Sequence, residues 1–256
     1  MSVNKNNYQG LIRTLESLLI ICKNNYAFHV IIDGNSNDFE FSLESLYDKY
    51  EFDFISENDS GIYNAMNKGI ALSKTNRLLF LNSGDSVINN SVFEKFINYC
   101  PEHDLVYSNV VKVFDDGTNL HSFFPEDLSI DYMISYGLPH QATIINKSLF
   151  DKVGLYNEDY KIISDWVFFM EALFFHNASY KHLNEDVVFF DGTGISNQSK
   201  YLKSIIREQV HYISRRFPTK LSLYKSTSPY VKKHFRSMPR WKRSYFKILF
   251  LYFNYI

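Results

Sequence analysis

Short apolar runs typical of buried strands alternate with helical segments along the first half of the chain. FHVIID, FDFIS and RLLFLN occupy residues 28–33, 52–56 and 77–82. Helical periodicity lies before and between them, with leucines on one stripe over residues 11–19 and a second helix predicted over 62–72. This alternation predicts an α/β fold with a mostly parallel sheet and helices on both faces. Because ligands bind beyond the carboxyl ends of the strands in such sheets, the residues after each run are the first site candidates.

The pattern continues along the chain and changes character near residue 197. A further helix is predicted over 39–50, and further strands over 104–114 and 187–191. From residue 198 the sequence favours helix, broken into short pieces at three prolines, Pro218, Pro229 and Pro239. We therefore predict two domains, an α/β domain over 1–197 and a helical region over 198–256.

Composition limits the class of protein. Apolar residues make up 45% of the 256, enough for a sizeable core. Cys22 and Cys100 are the two cysteines and form no CxxC motif, which indicates neither a disulfide framework nor a zinc site. The first ten residues are polar, and no run reaches the ~18–20 apolar residues of a membrane span. We expect a protein of the reducing cytoplasm.

Charge is distributed unevenly between the two predicted domains. Residues 200–256 carry 14 Lys and Arg against one acidic residue, Glu208, whereas residues 1–199 carry 13 basic and 27 acidic residues. The basic stretch is interleaved with aromatic residues and ends in SYFKILFLYFNYI. A solvated helical face is one interpretation, but this pattern favours an anionic membrane surface. The acidic body and the lack of a DNA or RNA motif argue against nucleic acid. We expect the protein at the inner face of the cytoplasmic membrane.

Three polar turns follow the predicted strands. DGNSND occupies 33–38, SENDSG 56–61 and NSGD 82–85. Alone, each turn is explained by loop geometry, with Ser36 or Asp38 as a helix cap. Together their carboxylates would meet at one sheet edge, where they would repel one another unless a cation lay between them. Mg²⁺ or Mn²⁺ bridging to phosphate oxygens meets that need and predicts a nucleotide-diphosphate ligand. Neither GxxxxGK[ST] nor GxGxxG is present.

These motifs, in this order, resemble those of a known family. IIDGNSND, SENDSGIYNAMNKGI, LLFLNSGD and HQATIINKSLFDKVGLYNEDYKIISDW are similar to the pattern of bacterial family 2 glycosyltransferases with the GT-A fold, over about residues 3–197. The sequence most resembles the branch that builds O antigens, capsules and exopolysaccharides. The resemblance implies transfer of a hexose from a nucleotide sugar, commonly UDP-linked, to a saccharide acceptor that is often lipid-linked.

The resemblance also implies the residues of a donor site. Asp33 matches the aspartate that contacts the nucleotide base, and NSGD matches the region of the family's DxD motif. Asp85 takes the position of a ligand for a divalent cation, Mn²⁺ or Mg²⁺, while Asn82 stands where many members have a first aspartate. GTGIS, residues 192–196, resembles a loop that closes over the nucleotide. The residues assigned to nucleotide-sugar binding are Asp33, Ser36, Asp59, Asn67, Asn82 and Gly84.

The resemblance assigns the reacting side of the site to a later part of the chain. Asp165 in ISDW matches the catalytic base of inverting members. It could also be a cap of the amphipathic helix that begins there. His140 and Gln141 match a PHQ element near the acceptor. Trp166 and Tyr63 could stack on a sugar or a base, or could equally pack in the core. As a lone histidine, His140 could equally be a structural residue of the core.

The first strand departs from the family pattern. Only Ser2 and Val3 precede the NKNN turn, so the central strand is predicted to be truncated. A missing central strand would leave neighbouring backbone groups unpaired. This motivates an alternative function, a non-catalytic sugar-nucleotide-binding subunit of another transferase. A nucleotidyltransferase is a further alternative, but no basic Gly-rich phosphate loop supports it.

Overall fold

A computed structural model describes residues 1–23, 28–35, 52–99, 102–114, 116–192, 194 and 198–237. The chain divides into two compact units, Met1–Asp127 with Leu138–Thr193, and Leu128–Gly137 with Gly194–Ile256. Several predicted features lie outside the described residues: Ser36, Asp38, the helix over 39–50, Cys100, three residues of the loop 192–196, the boundary at 197, Pro239 and the aromatic end 238–256.

A three-stranded parallel sheet forms the first part of the first unit. Its strands are β1 (Ser2–Asn4), β2 (His29–Asp33) and β3 (Phe52–Ser56), in the order β1-β2-β3. Two helices, α1 (Tyr8–Lys23) and α2 (Ile62–Leu72), cover its two faces. Ile31 packs with α1 residues, whereas its neighbours Val30 and Ile32 pack with Ala65 of α2. The alternation of side chains along β2 therefore explains the two covered faces, as predicted.

The second sheet of this unit is mixed. Its strands are β4 (Arg77–Leu78), β5 (Ser86–Val87), β6 (Leu105–Val113), β7 (Asn119–Ser122), β8 (Thr143–Asn146) and β9 (Tyr180–Asp191). Their order is β4-β8-β6-β9-β5, with β7 paired to β6. β6 and β9 are parallel and the other pairs are antiparallel. The α/β fold is confirmed, and the parallel arrangement holds for the first sheet and for this central pair.

The described part of the first unit also contains the helices α3 (Asn90–Asn98), α5 (Ser148–Val153) and α6 (Ser164–Phe174). α3 contributes Phe93 and Phe96 to the core of the second sheet, where they pack among Val106, Val110 and Val188. α6 follows a loop at 154–163 and is nearly all buried, which explains its apolar sequence.

The short strand β1 is bonded on both sides. It pairs with β2 in parallel register, Ser2 opposite Ile31. On its other side, the Leu81 N–H donates to Met1 O (2.9 Å) and the Ser83 N–H donates to Val3 O (3.2 Å). The predicted loss of backbone partners is therefore not observed. An apolar cavity of ≈ 290 Å³ lies at the amino ends of these strands, beside Met1, and so away from the predicted ligand edge.

The second unit is helical. It contains α4 (Ile130–Ser135), α7 (Leu202–Arg216), α8 (Leu221–Thr227) and α9 (Pro229–Ser237). Pro218 and Pro229 lie at the breaks between α7, α8 and α9, as predicted. In its interior the Tyr224 hydroxyl donates to Gln209 Oε1 (2.7 Å). Among the described residues, no helix combines the length and the apolar character needed to cross a membrane.

Candidate donor and base site

A network of side chains joins the carboxyl ends of the parallel strands. Asp33 is fully buried, and its two oxygens accept hydrogen bonds from Asn4 Nδ2 and Ser56 Oγ, each at 2.8 Å. The Ser83 hydroxyl donates to Asn4 Oδ1 (2.7 Å), which brings the NSGD turn to the same edge. The described parts of the three turns therefore lie together at one edge, as predicted. The predicted meeting of their carboxylates is not observed, since the described residues contain no cluster of three or more His, Cys, Asp or Glu suited to a metal ion. Asp33 thus stabilises this edge through buried hydrogen bonds, whereas its assigned contact with the nucleotide base stays a prediction.

Asp59 lies against the end of β2. Its Oδ1 accepts the Gly61 N–H (3.1 Å) at the start of α2, and its side chain is only 5% exposed. A Cβ placed on Gly34 would lie 2.5 Å from Asp59 Oδ2, so a larger residue at position 34 would displace this carboxylate. Lys5 Nζ, on a side chain that is 60% exposed, lies 3.9 Å from Asp59. Lys5 is therefore a cation at the predicted donor edge, which the sequence analysis missed.

Asn67 joins α2 to the loop before α6. Its Nδ2 donates to Tyr156 O (2.9 Å) and its Oδ1 accepts the Tyr156 N–H (3.0 Å). The side-chain amide thus bonds both the N–H and the C=O of one residue, as a paired antiparallel strand would do. Through these hydrogen bonds Asn67 holds α2 against the loop before α6. Its predicted contact with the nucleotide sugar stays a prediction.

Glu158 reinforces the same connection. Its carboxylate accepts hydrogen bonds from Asn64 Nδ2 (3.1 and 3.2 Å), Asn67 Nδ2 (3.2 Å) and Ser60 Oγ (3.0 Å). These hydrogen bonds, foremost that from Asn64, lower the pKa of Glu158. Sequence reasoning missed Glu158 because no local pattern relates it to α2.

Asp165 lies in the first turn of α6, half-buried. The Tyr63 hydroxyl is 2.7 Å from Asp165 Oδ1 and 2.7 Å from Ile162 O. Tyr63 belongs to the first turn of α2, four residues after Asp59, so the candidate base and the donor edge meet through this helix. The cap position of α6 is occupied by Ile163, and the interpretation of Asp165 as its cap is therefore wrong. A carboxylate in a first turn is still favoured by the helix dipole.

The predicted acceptor residues lie mostly inside the protein. His140 is 4% exposed, its Nε2 is 2.8 Å from the Tyr156 hydroxyl, and its ring stacks on Phe80 at 4.8 Å. Trp166 is 8% exposed in α6, and Gln141 is half-buried. This geometry favours a structural role for His140 and Trp166, and acceptor contact by these three residues stays a prediction.

Two buried histidines predict a loss of stability in mild acid. Burial lowers the pKa of His140 and lowers that of His29 well below the usual 6.5. Below about pH 6.5 the unfolded chain therefore binds protons at these two histidines that the folded chain does not, and their contribution to the free energy of unfolding falls with falling pH. The raised pKa of Asp85 acts in the opposite direction over this range. Each histidine contributes up to about 1.4 kcal/mol per pH unit. Urea unfolding at several pH values between 5 and 7.5 measures this slope.

Substitution separates the contribution of one histidine. We expect His140→Gln to show a shallower fall of the unfolding free energy between pH 6.5 and 5 than the parent. His176 is exposed and serves as the matched control, so His176→Gln should keep the parental slope. Equal slopes for the parent and His140→Gln would contradict the burial of a neutral imidazole at this position.

Asp85 is buried inside the NSGD turn. It is 2% exposed; its Oδ2 accepts the Asn82 N–H (3.0 Å) and its Oδ1 accepts the Asp191 N–H (3.0 Å). Burial raises the pKa of Asp85 to about 7, and the nearby charge of Asp191 acts in the same direction. Asp85 therefore ties the turn to the end of β9. Asp191 was missed by sequence reasoning because it lies 106 residues away.

These contacts do not fit a preformed cation site at Asp85. Each of its oxygens accepts a backbone N–H, and the described residues contain no cluster of three or more His, Cys, Asp or Glu suited to a metal ion. Gly84 has φ +112°, and a Cβ there would lie 2.5 Å from Asp191 Oδ2, so glycine lets this carboxylate approach the turn. The Asn82 Oδ1 is buried and has no hydrogen-bond partner among the described residues.

The comparison with protein families decides the identity of this architecture. The sequence model of glycosyl transferase family 2 matches residues 2–172, two thirds of the chain. The chain belongs to glycosyltransferase family 2. Family 2 enzymes typically use a divalent cation. The branch that builds O antigens and capsules, which the sequence resembles, is not confirmed by this match.

Relatives of this family 2 glycosyltransferase include mycobacterial proteins. A PGL/p-HBAD biosynthesis glycosyltransferase of Mycobacterium bovis is 29% identical over 145 residues, which are 54% of this chain and 55% of the relative. An uncharacterized glycosyltransferase of Mycobacterium tuberculosis is 28% identical over 175 residues, 67% of each chain. The matched region thus spans about half the length of the first of these relatives.

Solved structures support the fold. S. aureus TarS superposes with a TM-score of 0.63 at 18% identity, covering 94% of this chain and 44% of TarS. The TarS 1–349 fragment in complex with UDP-GlcNAc gives a TM-score of 0.62 at 17% identity, covering 89% of this chain and 72% of the fragment. At these identities the likeness shows the GT-A type of fold alone.

Proposed function

We propose that this family 2 glycosyltransferase transfers a hexose from a UDP-linked sugar to a saccharide acceptor with inversion at the anomeric carbon. The observation that carries the proposal is the position of Asp165, whose Oδ1 is 2.7 Å from the hydroxyl of Tyr63 in the first turn of α2. A candidate base is thus connected by one side chain to the helix that follows the second strand-end turn. TarS has been solved with UDP and with UDP-GlcNAc, which supports the choice of a UDP-linked donor.

The reaction follows from one carboxylate and one leaving group. Asp165 removes the proton of an acceptor hydroxyl, and the resulting oxygen attacks the anomeric carbon from the face opposite UDP. The bond between the anomeric carbon and the phosphate oxygen breaks, and its electron pair leaves with UDP. One displacement therefore gives a glycoside of inverted configuration, free UDP and a protonated Asp165.

The second unit supports a membrane location for the acceptor. On α7, Lys203, Arg207 and Arg215 are exposed and lie at four- and eight-residue spacings, which places them on one face of the helix. Each basic residue near an anionic bilayer contributes about 1 kcal/mol of binding. We propose that this face holds the protein at the inner face of the cytoplasmic membrane. The acceptor would then be a lipid-linked saccharide in the synthesis of a cell-surface polysaccharide.

Vesicle sedimentation tests the membrane proposal. The full chain should sediment with phosphatidylglycerol-rich vesicles and not with phosphatidylcholine vesicles, and added salt should weaken the interaction. A variant with Lys203→Gln, Arg207→Gln and Arg215→Gln should lose most of this binding. Binding of the full chain to RNA of equal charge density would contradict the proposal. So would sedimentation of the variant with phosphatidylglycerol-rich vesicles to the same extent as the parent.

Calorimetry with UDP, followed by a transfer assay, tests the enzymatic proposal. We expect micromolar binding of UDP, and release of UDP when a matching UDP-hexose and saccharide acceptor are supplied. Parallel titrations with and without Mn²⁺, on the parent and on Asp85→Ala, show whether affinity depends on a cation at Asp85. Binding of UDP without transfer to any acceptor would favour the sugar-nucleotide-binding subunit, and no binding would overturn both functions.

A further inference from the structure

The Tyr63 hydroxyl lies between two acceptors at the candidate base. It is 2.7 Å from Asp165 Oδ1 and 2.7 Å from Ile162 O, and Tyr63 is 5% exposed. A phenol has one hydrogen and can donate it to one of these oxygens at a time. Hydrogen bonds to an ionised carboxylate are shorter and stronger than those to a neutral carbonyl. Asp165 is therefore the favoured acceptor when it is charged.

The groups around Asp165 keep this arrangement constant near neutral pH. Three titratable side chains face it: Tyr63 from α2, Tyr156 from the loop before α6, and His140 from the turn before β8. Burial, aided by the charge of Asp165, raises the pKa of both tyrosines well above 10. Burial lowers the pKa of His140, so the imidazole is neutral at pH 7. Tyr63 thus remains a protonated donor throughout the working range.

We propose that Tyr63 is a positioning residue for Asp165, holding Oδ1 with its hydroxyl so that Oδ2 faces the acceptor hydroxyl. This inference rests on the proposed role of Asp165 as the base. The hydrogen bond also stabilises the ionised carboxylate, which is the form that accepts a proton. Tyr63 touches neither reacting atom in this role, and its effect passes through Asp165.

The backbone around Tyr63 is fixed independently of its hydroxyl. Asn67 holds Tyr156 by two hydrogen bonds, and Glu158 accepts hydrogen bonds from Ser60 and Asn64. These contacts fasten α2 to the loop that leads into α6. The Tyr63 ring also packs with that of Tyr156 at a centroid distance of 5.6 Å. Tyr63→Phe therefore removes the hydroxyl alone and should leave the fold intact.

Tyr63→Phe tests the proposal, with Tyr156→Phe as the matched control. Each variant loses one buried hydroxyl from the same aromatic cluster, but the Tyr156 hydroxyl bonds His140 and not Asp165. We expect Tyr63→Phe to lower kcat about tenfold to hundredfold, with the Kd of UDP unchanged. The acidic limb of the pH–kcat profile should move to higher pH, because a donor to the charged form is gone. Tyr156→Phe should leave that limb in place.

The outcomes separate this inference from the proposed function. If Asp165→Asn is inactive but Tyr63→Phe keeps the parental rate and pH profile, the positioning role is overturned and the base assignment stands. Equal losses in both tyrosine variants with an unmoved limb would also overturn it, since the hydroxyl would then act through packing alone. A crystal structure of Tyr63→Phe gives a readout that needs no activity: an unchanged Asp165 rotamer and ordering would count against the proposal.

Discussion

Asp165→Asn is expected to lower the transfer rate by about 10²- to 10⁴-fold while leaving the Kd of UDP unchanged. The amide is nearly the same size as the carboxylate and can still accept the Tyr63 hydrogen bond, but it cannot take the proton of the acceptor. The strand edge with Asp33 and Asp59 is not altered by the change. Initial rates of UDP release with a fixed donor and acceptor, together with calorimetry for UDP, measure the two quantities separately.

Asp159→Asn provides the matched control for this substitution. Asp159 lies in the same loop before α6 and is exposed, so its change removes one negative charge without touching the site. We expect its transfer rate to remain close to that of the parent. An Asp165→Asn enzyme that transfers sugar within tenfold of the parental rate would rule out Asp165 as the base and, with it, the inverting displacement proposed here.

The elements with a regular pattern could be predicted from the sequence. α2 begins at Ile62 and ends at Leu72, and β3 spans Phe52–Ser56, as expected from their periodicity. RLLFLN was predicted as a full strand, yet only Arg77–Leu78 pair within the second sheet. The rest of that run gives its backbone groups to β1 and to the NSGD turn. A local sequence pattern predicts that a segment is buried and extended, but it does not predict which neighbouring segment forms hydrogen bonds with it.

The candidate site, like the fold, could be predicted only in part. The convergence of the strand-end turns followed from sequence because parallel strands end at one edge. The partners of the individual side chains did not follow, because they come from distant segments: Asn67 bonds a residue 89 positions away, and Tyr63 one that is 102 away. Asp85 was assigned as a metal ligand from its position in a motif, whereas its contacts depend on β9. The position of each motif thus predicted the edge of the sheet, whereas tertiary packing determines which groups each carboxylate contacts there.

Asp33→Ala is expected to lower the free energy of unfolding by about 3 kcal/mol. Asp33 is fully buried, and its loss removes the hydrogen bonds that it accepts from Asn4 Nδ2 and Ser56 Oγ. Asn4 is 1% exposed, so water does not readily replace that partner. Urea unfolding without nucleotide measures the effect. Asp53→Ala on the adjacent strand is the control, since Asp53 is 43% exposed in its ion pair with Lys74 and should cost less than about 1 kcal/mol.

This experiment also distinguishes two roles for Asp33. If the carboxylate mainly holds the strand ends together, stability falls in the absence of UDP, and the loss of UDP affinity follows from the displaced Asn4 and the NSGD turn that Asn4 binds through Ser83. If it mainly contacts the nucleotide base, UDP affinity falls while the unfolding free energy stays within about 1 kcal/mol of the parent. The buried geometry favours the first outcome, because both oxygens are already bonded inside the protein before any nucleotide arrives.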